Sequence, residues 1–123
     1  MATDPELVRG TLDTILLETV SQGPAYGYQI CKAVNARTDG YFDLREGSLY
    51  PALHRLERDG LLRSYWEKTA AGRRRKYYEI TEAGVSTLAR KRAEWKDFAG
   101  AVERVLATLV PVGGGMPQVC PTG

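Results

Sequence analysis

The chain has 123 residues, 43% of them hydrophobic and 26% charged, with a formal net charge of +2. That suffices for one domain around a single core, in a composition ordinary for a folded protein. No stretch approaches the roughly 18 apolar residues of a membrane span. The N-terminal "MATDPELVRG" has no apolar run after a basic start, so it does not read as a signal peptide and a cytoplasmic location is expected. Cys31 and Cys120 fit no metal or redox spacing, and a single histidine argues against a zinc site or a His-based catalytic pair. No cofactor and no metal are expected.

The stretch "PELVRGTLDTILLETVSQG" reads as a helix: Leu12, Ile15, Leu16 and Thr19 recur at helical spacing and Gly23-Pro24 stops it. "AYGYQICKAVNARTDG" reads as a second helix with Ile30, Ala33 and Val34 as its apolar stripe and Gly40 at its end. "YFDLREG" is a short connector, with room for a brief extended piece. "SLYPALHRLERDG" is the third helix, with Ser48 as N-cap, Pro51 in the first turn and Gly60 closing it.

In "LLRSYWEKTAAGRRRKYYEI", Leu62, Ser64 and Trp66 alternate with Arg63, Tyr65 and Glu67, and Tyr78 and Ile80 alternate with Tyr77 and Glu79. Two segments of period 2 around a glycine-containing loop predict an antiparallel hairpin. Arg73, Arg74, Arg75 and Lys76 fall at its tip and on its returning strand. Of Tyr77 and Tyr78, one is expected to pack inward with Trp66 as its neighbour, and a packing role suits both. "TEAGVSTLARKRAEWKDFAGAVERVLATLV" predicts one long helix capped by Thr81 and ended by Pro111. The Pro- and Gly-rich 111–123 has little to bury and is expected to be a flexible tail. The fold class is therefore mainly α with a small β-hairpin: a winged helix-turn-helix over 1–81, a long C-terminal dimerisation helix over 82–110, and the tail.

Charge is uneven along this plan. Residues 1–38 carry three basic and four acidic side chains, whereas 45–78 carry nine basic against four acidic, a local net of +5. A basic surface on a near-neutral protein suggests an anionic partner, although a charge run is commonly no more than a solvated face. On a wheel of about 100° per residue, Leu49, Ala52, Leu53 and Leu56 share the buried side of the third helix. Pro51, His54, Arg55 and Arg58 lie opposite, with Ser48 and Tyr50 on the flanks. Such hydroxyl, phenol, imidazole and guanidinium groups suit phosphates and base edges. Asp59, four residues after Arg55, offers that arginine a helix-surface ion pair as the plainer reading. A basic hairpin directly after this face favours double-stranded DNA as the partner.

The runs "GYQI" (27–30), "GSLYPALHRLERDGLL" (47–62), "GRRRKYYEIT" (72–81) and "EAG" (82–84) resemble the PadR family of bacterial transcriptional regulators, over roughly residues 7–110. The single long helix after the wing is similar to the family's shorter branch. The resemblance implies a homodimeric winged-helix repressor, with its third helix in the major groove and its wing along the neighbouring backbone or minor groove. It implies Tyr28, Ser48, Tyr50, Pro51, His54 and Arg55 at the DNA, with Arg73, Arg74, Arg75 and Lys76 as wing contacts. Residues from Pro111 onward have no counterpart in the family's pattern.

In the long helix Leu88, Trp95, Val102 and Leu109 fall seven apart, and Phe98 and Val105 occupy intervening positions that Lys91 interrupts. This heptad-like stripe is expected to pair with its equivalent in a second copy. Dimerisation would present two recognition helices to half-sites about 34–36 Å apart. Trp95 reads first as interface core. The family resemblance adds a second role, a small aromatic effector held between paired Trp95 rings with Phe98 as a further wall, relieving repression. Two other classes compete. A winged-helix module that binds protein and not DNA would not need the basic wing. An enzyme built on Cys31 and His54 would lack an acid partner, a phosphate-cradling glycine loop and a metal.

Overall fold

The computed structural model describes residues 5–109, with side chains over 10–107. The 111–123 tail expected from the sequence and the side chain of Leu109 lie outside the described residues. The element order is α1 (Pro5–Ser21), β1 (Ala25–Tyr26), α2 (Gly27–Arg37), α3 (Glu46–Arg58), β2 (Leu62–Lys68), β3 (Arg74–Ile80) and α4 (Glu82–Leu109). The three strands form an antiparallel sheet in the order β1-β3-β2. The chain divides into two compact units, Met1–Ala89 and Arg90–Gly123, so the division falls within α4 where the sequence reading set a boundary at 81/82.

The first unit is built on the apolar stripes of three helices. Leu16, Leu17 and Val20 of α1, Ile30 and Val34 of α2, and Leu49, Ala52, Leu53 and Leu56 of α3 are all buried. Leu62 and Tyr78 close this core from the sheet, Leu44 from the α2–α3 connector and Leu88 from the start of α4. Each large side chain contributes about 1.5–3 kcal/mol by leaving water. Along α1 the buried stripe is turned by one position from the expected one: Leu17 and Val20 take full burial, while Leu12 and Ile15 are only partly covered. Thr19 turns its hydroxyl back onto the Ile15 carbonyl (2.7 Å).

The helix ends explain the connectors. At the end of α3, the Leu61 N–H reaches the Leu56 carbonyl (2.9 Å) and the Gly60 N–H that of Glu57 (3.0 Å), with Gly60 at φ +78°. This is a Schellman stop, and glycine takes its left-handed position without steric cost. At the end of α2, Asp39 takes the left-handed place at φ +51°, and Gly40 donates to the Asn35 carbonyl (2.7 Å). The Asn35 side chain then clamps the connector, accepting from the Leu44 N–H (2.6 Å) and donating to its carbonyl (2.9 Å). No strand forms in the connector, and the extended piece lies elsewhere, as β1, in residues expected to begin the second helix.

The start of α3 also differs from expectation. Its N-cap is Arg45, without a side-chain cap bond, and Ser48 is inside the helix with its N–H on the Arg45 carbonyl (3.1 Å). Pro51 is thus beyond the first turn. Its missing N–H leaves the carbonyl of Gly47 without a helical donor, at an exposed position where solvent can supply one. Thr81 does cap α4, and it joins three elements. Its hydroxyl accepts from the Gly84 N–H (3.0 Å) and donates to the Gly60 carbonyl (2.7 Å), while its N–H meets the Leu61 carbonyl (3.1 Å). Gly84 is required there, because a Cβ would run into the Leu61 carbonyl oxygen and the Ile80 side chain.

Candidate nucleic-acid interface

Burial sorts the α3 side chains by angle around the helix. Ser48, Pro51, His54 and Arg58 form an exposed strip, continued at the N-terminal end by Glu46 and Gly47. Tyr50 and Arg55 fall on opposite flanks, and neither is free. The Tyr50 ring lies against Gly27, where a Cβ would collide with the phenol. Burial, then the carboxylate of Glu46 and the thiol of Cys31, raises the Tyr50 pKa, so the phenol keeps its proton. Arg55 reaches to α1 and pairs with Asp13 (Nη2 to Oδ1, 2.5 Å). The i+4 partner suggested by the sequence, Asp59, pairs instead with Arg58 (3.3 Å). At the start of α2, Tyr28 is 57% exposed, with the Lys32 ammonium 5.7 Å from its ring centre.

In the hairpin Leu62 faces Ile80, Ser64 faces Tyr78, Trp66 faces Lys76 and Lys68 faces Arg74. Tyr78 is the inward tyrosine, 1% exposed. Its partner is Ser64, not Trp66, which is 57% exposed and lies under the Arg74 guanidinium at 5.0 Å. Tyr77 belongs to the opposite face. It stacks on Tyr65 (5.8 Å, 13° between planes) and meets Tyr26 of β1 edge-on (5.4 Å). The four cations therefore separate. Arg73 is in the turn, where its N–H bonds the Thr69 hydroxyl (3.2 Å). Arg74 and Lys76 lie on the Trp66–Tyr78 face, and Arg75 lies on the other, over the Tyr26 ring at 4.3 Å.

The electrostatic state of these groups differs from that of the arginines around them. Arg45, Arg55, Arg58 and Arg63 each have a carboxylate, on Asp43, Asp13, Asp59 and Glu79 respectively. Among the described residues, Arg73, Arg74, Arg75 and Lys76 are in no ion pair within 4.0 Å. Three of them rest on aromatic rings, which hold a cation in place without neutralising it. The wing thus presents four cations outside ion-pair range of any described carboxylate, with Glu67 across from Arg75 in the register, together with the donors on the exposed strip of α3. That combination can neutralise phosphates and reach base edges.

Nothing comparable points to catalysis. Burial, with the Glu46 carboxylate second, pushes the Cys31 thiol up, away from the thiolate form. Among the described residues no group of three His, Cys, Asp or Glu side chains could hold a metal ion. Among them, too, no helix is long and apolar enough to cross a membrane.

In the second unit, Trp95 and Phe98 are about half exposed with ring centres 5.8 Å apart, and Val102 and Val105 are exposed beyond them. Leu106, not singled out in the sequence, is 52% exposed too. Leu88, expected in the same stripe, is 5% exposed and belongs to the core of the first unit.

Three helices followed by a two-stranded wing, with a third short strand on β3, make this a winged helix-turn-helix protein. The sequence profile of the Transcriptional regulator PadR-like family matches residues 16–90. A transcriptional regulator from Clostridium thermocellum superposes with a TM-score of 0.73 at 33% identity, covering 84% of this chain and 97% of its own. A PadR family transcriptional regulator from Eggerthella lenta gives 0.70 at 35% identity, over 85% and 88% of the two chains. An uncharacterized protein of Lysinibacillus sphaericus is 34% identical over 104 residues, 85% of this chain and 95% of the relative. The chain belongs to the PadR-like family, whose members are transcriptional regulators and not enzymes.

Proposed function

We propose that this regulator binds double-stranded DNA sequence-specifically, as a cytoplasmic homodimeric repressor. The observation that carries the proposal is the wing: four adjacent cations without carboxylate partners, beside a helix whose donors stand exposed. Ser48, Pro51 and His54 meet the major groove, where His54 and the Ser48 hydroxyl read base edges. Arg73, Arg74, Arg75 and Lys76 hold the neighbouring backbone, and Tyr28 binds a phosphate at the start of α2. Tyr50 supports this surface from the flank, by its packing on Gly27.

The α4 stripe of Trp95, Phe98, Val102 and Val105 pairs with its counterpart in a second copy, burying apolar area that water now covers. A flat aromatic effector enters between the two Trp95 rings, against Phe98. It releases DNA by favouring a spacing of the recognition helices that the operator does not fit.

A footprint on the DNA upstream of the protein's own coding region tests the reading. The expected result is a protected two-fold symmetric site with half-sites about 34–36 Å apart, and binding that weakens steeply with salt. A protein-interaction module would protect no site and would show neither symmetry nor a steep salt slope.

A further inference from the structure

Of the ion pairs among the described residues, Asp13–Arg55 stands apart. Arg45–Asp43, Arg58–Asp59 and Arg90–Glu94 have both side chains more than half exposed, and in Arg63–Glu79 the arginine is 65% exposed. Solvent screens such pairs heavily. The Arg55 side chain is only 26% exposed and that of Asp13 only 16%. The pair also joins elements 42 residues apart in sequence, α1 to α3, where most of the others are local. Arg55 Nε is buried without a partner, so the guanidinium is fixed chiefly by the Asp13 carboxylate. On the helix wheel Arg55 stands beside Ser48, at the margin of the exposed strip. A free arginine there would lie within reach of a bound duplex.

We propose that Asp13 limits the sequence-independent affinity of the DNA interface. Its carboxylate cancels the charge of Arg55 and holds the guanidinium back from phosphate. This rests on the DNA-binding reading above and reassigns Arg55, which the sequence suggests as a base reader. Every cation that meets phosphate adds affinity for all sequences alike, through released counterions. It raises the hold on random DNA together with that on the operator and leaves their ratio unchanged. A paired Arg55 adds nothing to that sequence-independent part. The recognition helix therefore owes its contribution to the base-facing strip, while the wing supplies the general attraction.

The test uses the full chain with Asp13→Asn, which keeps shape and removes charge, and Arg55→Gln. Binding to operator and to scrambled duplex is followed against salt concentration. With Asp13→Asn, Arg55 is released. Scrambled and operator DNA should both bind several-fold tighter at an unchanged ratio, and the salt slope should steepen by about two per dimer, close to 0.9 per new phosphate contact. With Arg55→Gln alone, the Asp13 carboxylate is left unpaired and repels phosphate, so affinity for both duplexes should fall by one common factor. In the double variant, the slope and scrambled affinity should return to wild type even if melting temperature has dropped. An Asp13→Asn protein with unchanged slope would reduce the pair to a brace between α1 and α3. A slope shallower than wild type in the double variant would show that Arg55 touches phosphate in the native protein, and would equally overturn the proposal. Wild-type protein that binds neither duplex would instead remove the DNA-binding reading itself.

Discussion

The third helix carries two cations and the tip and returning strand of the wing four, and the two regions hold them in opposite ways. On α3, Arg55 and Arg58 both meet carboxylates, one part-buried and one at the surface. In the wing, Arg74, Arg75 and Lys76 rest on Trp66, Tyr26 and Tyr78, and none has an acidic partner in ion-pair range. The difference teaches that a local net charge of +5 is not spread evenly over the surface that holds it. The wing offers attraction to any polyanion. The helix offers hydrogen-bond geometry with its charge largely cancelled, and on the proposed DNA-binding reading that division separates affinity from choice of sequence.

The hardest blow to this division is removal of the wing's exposed charge. Arg73→Ala with Arg74→Ala deletes two cations per chain, four in the proposed dimer. The slope of log affinity against log salt should become shallower by about three to four, at close to 0.9 per phosphate lost. Operator and scrambled duplex should weaken by the same factor in a gel-shift titration. A loss confined to the operator would move sequence reading into the wing.

Next in size is the mounting of the wing. Gly84→Ala sets a Cβ against the backbone of Leu61, an atom held in the α3–β2 turn. Overpacking of this kind costs typically about 1–3 kcal/mol, read as a lower midpoint in denaturant unfolding. Because Thr81 and Gly84 together fix where the hairpin ends and α4 begins, affinity for all DNA should fall with stability. A variant as stable as wild type would mean that the Leu61 turn can yield.

His54→Ala probes the helix in the complementary way. A lost base contact costs about 1–3 kcal/mol of discrimination, and a base contact releases no phosphate counterion. The expected signature is a reduced operator-to-scrambled ratio at an unchanged salt slope. Equal losses on both duplexes would assign His54 to the backbone.

How much of this contrast could be read from the chain depends on distance in sequence. The buried side of α3 was legible because Leu49, Ala52, Leu53 and Leu56 repeat with the helix itself. The hairpin was legible from its alternation, and Thr81 from its place before an apolar run. What eluded the reading depends on partners far away. Nothing near Arg55 announces Asp13, whereas Asp59 at i+4 is an obvious and mistaken choice. The two-residue β1 is too short to alternate and exists because β3 offers it an edge. Leu88 fits the spacing of the α4 stripe, but its place in the first unit's core was invisible without the packing of that unit. Trp66 and Tyr78 share a face by period 2. Which residue stands across from each follows from the register, which a five-residue turn leaves open in sequence.

Trp66 gives the smallest and sharpest test of the division. The Arg74 guanidinium lies 5.0 Å from its ring centre, and the ring is itself 57% exposed, so it contributes little to the core. Its proposed part is to hold Arg74 in one orientation before DNA arrives. An exposed cation–π contact is worth about 0.5–1 kcal/mol, which corresponds to about two- to fivefold in affinity per contact. Trp66→Ala should weaken operator and scrambled DNA by the same modest factor while leaving the salt slope unchanged, because every charge is still present. Trp66→Phe, which keeps a weaker aromatic face, should fall between the two. If Trp66→Ala makes the slope shallower, Arg74 reaches phosphate only when the ring holds it, and order and charge in the wing are one property. If affinity does not move at all, the four cations act as a mobile cloud. In that case the wing's advantage over α3 lies only in the absence of carboxylates within ion-pair range of its four cations, and the aromatic rings beneath it serve the sheet.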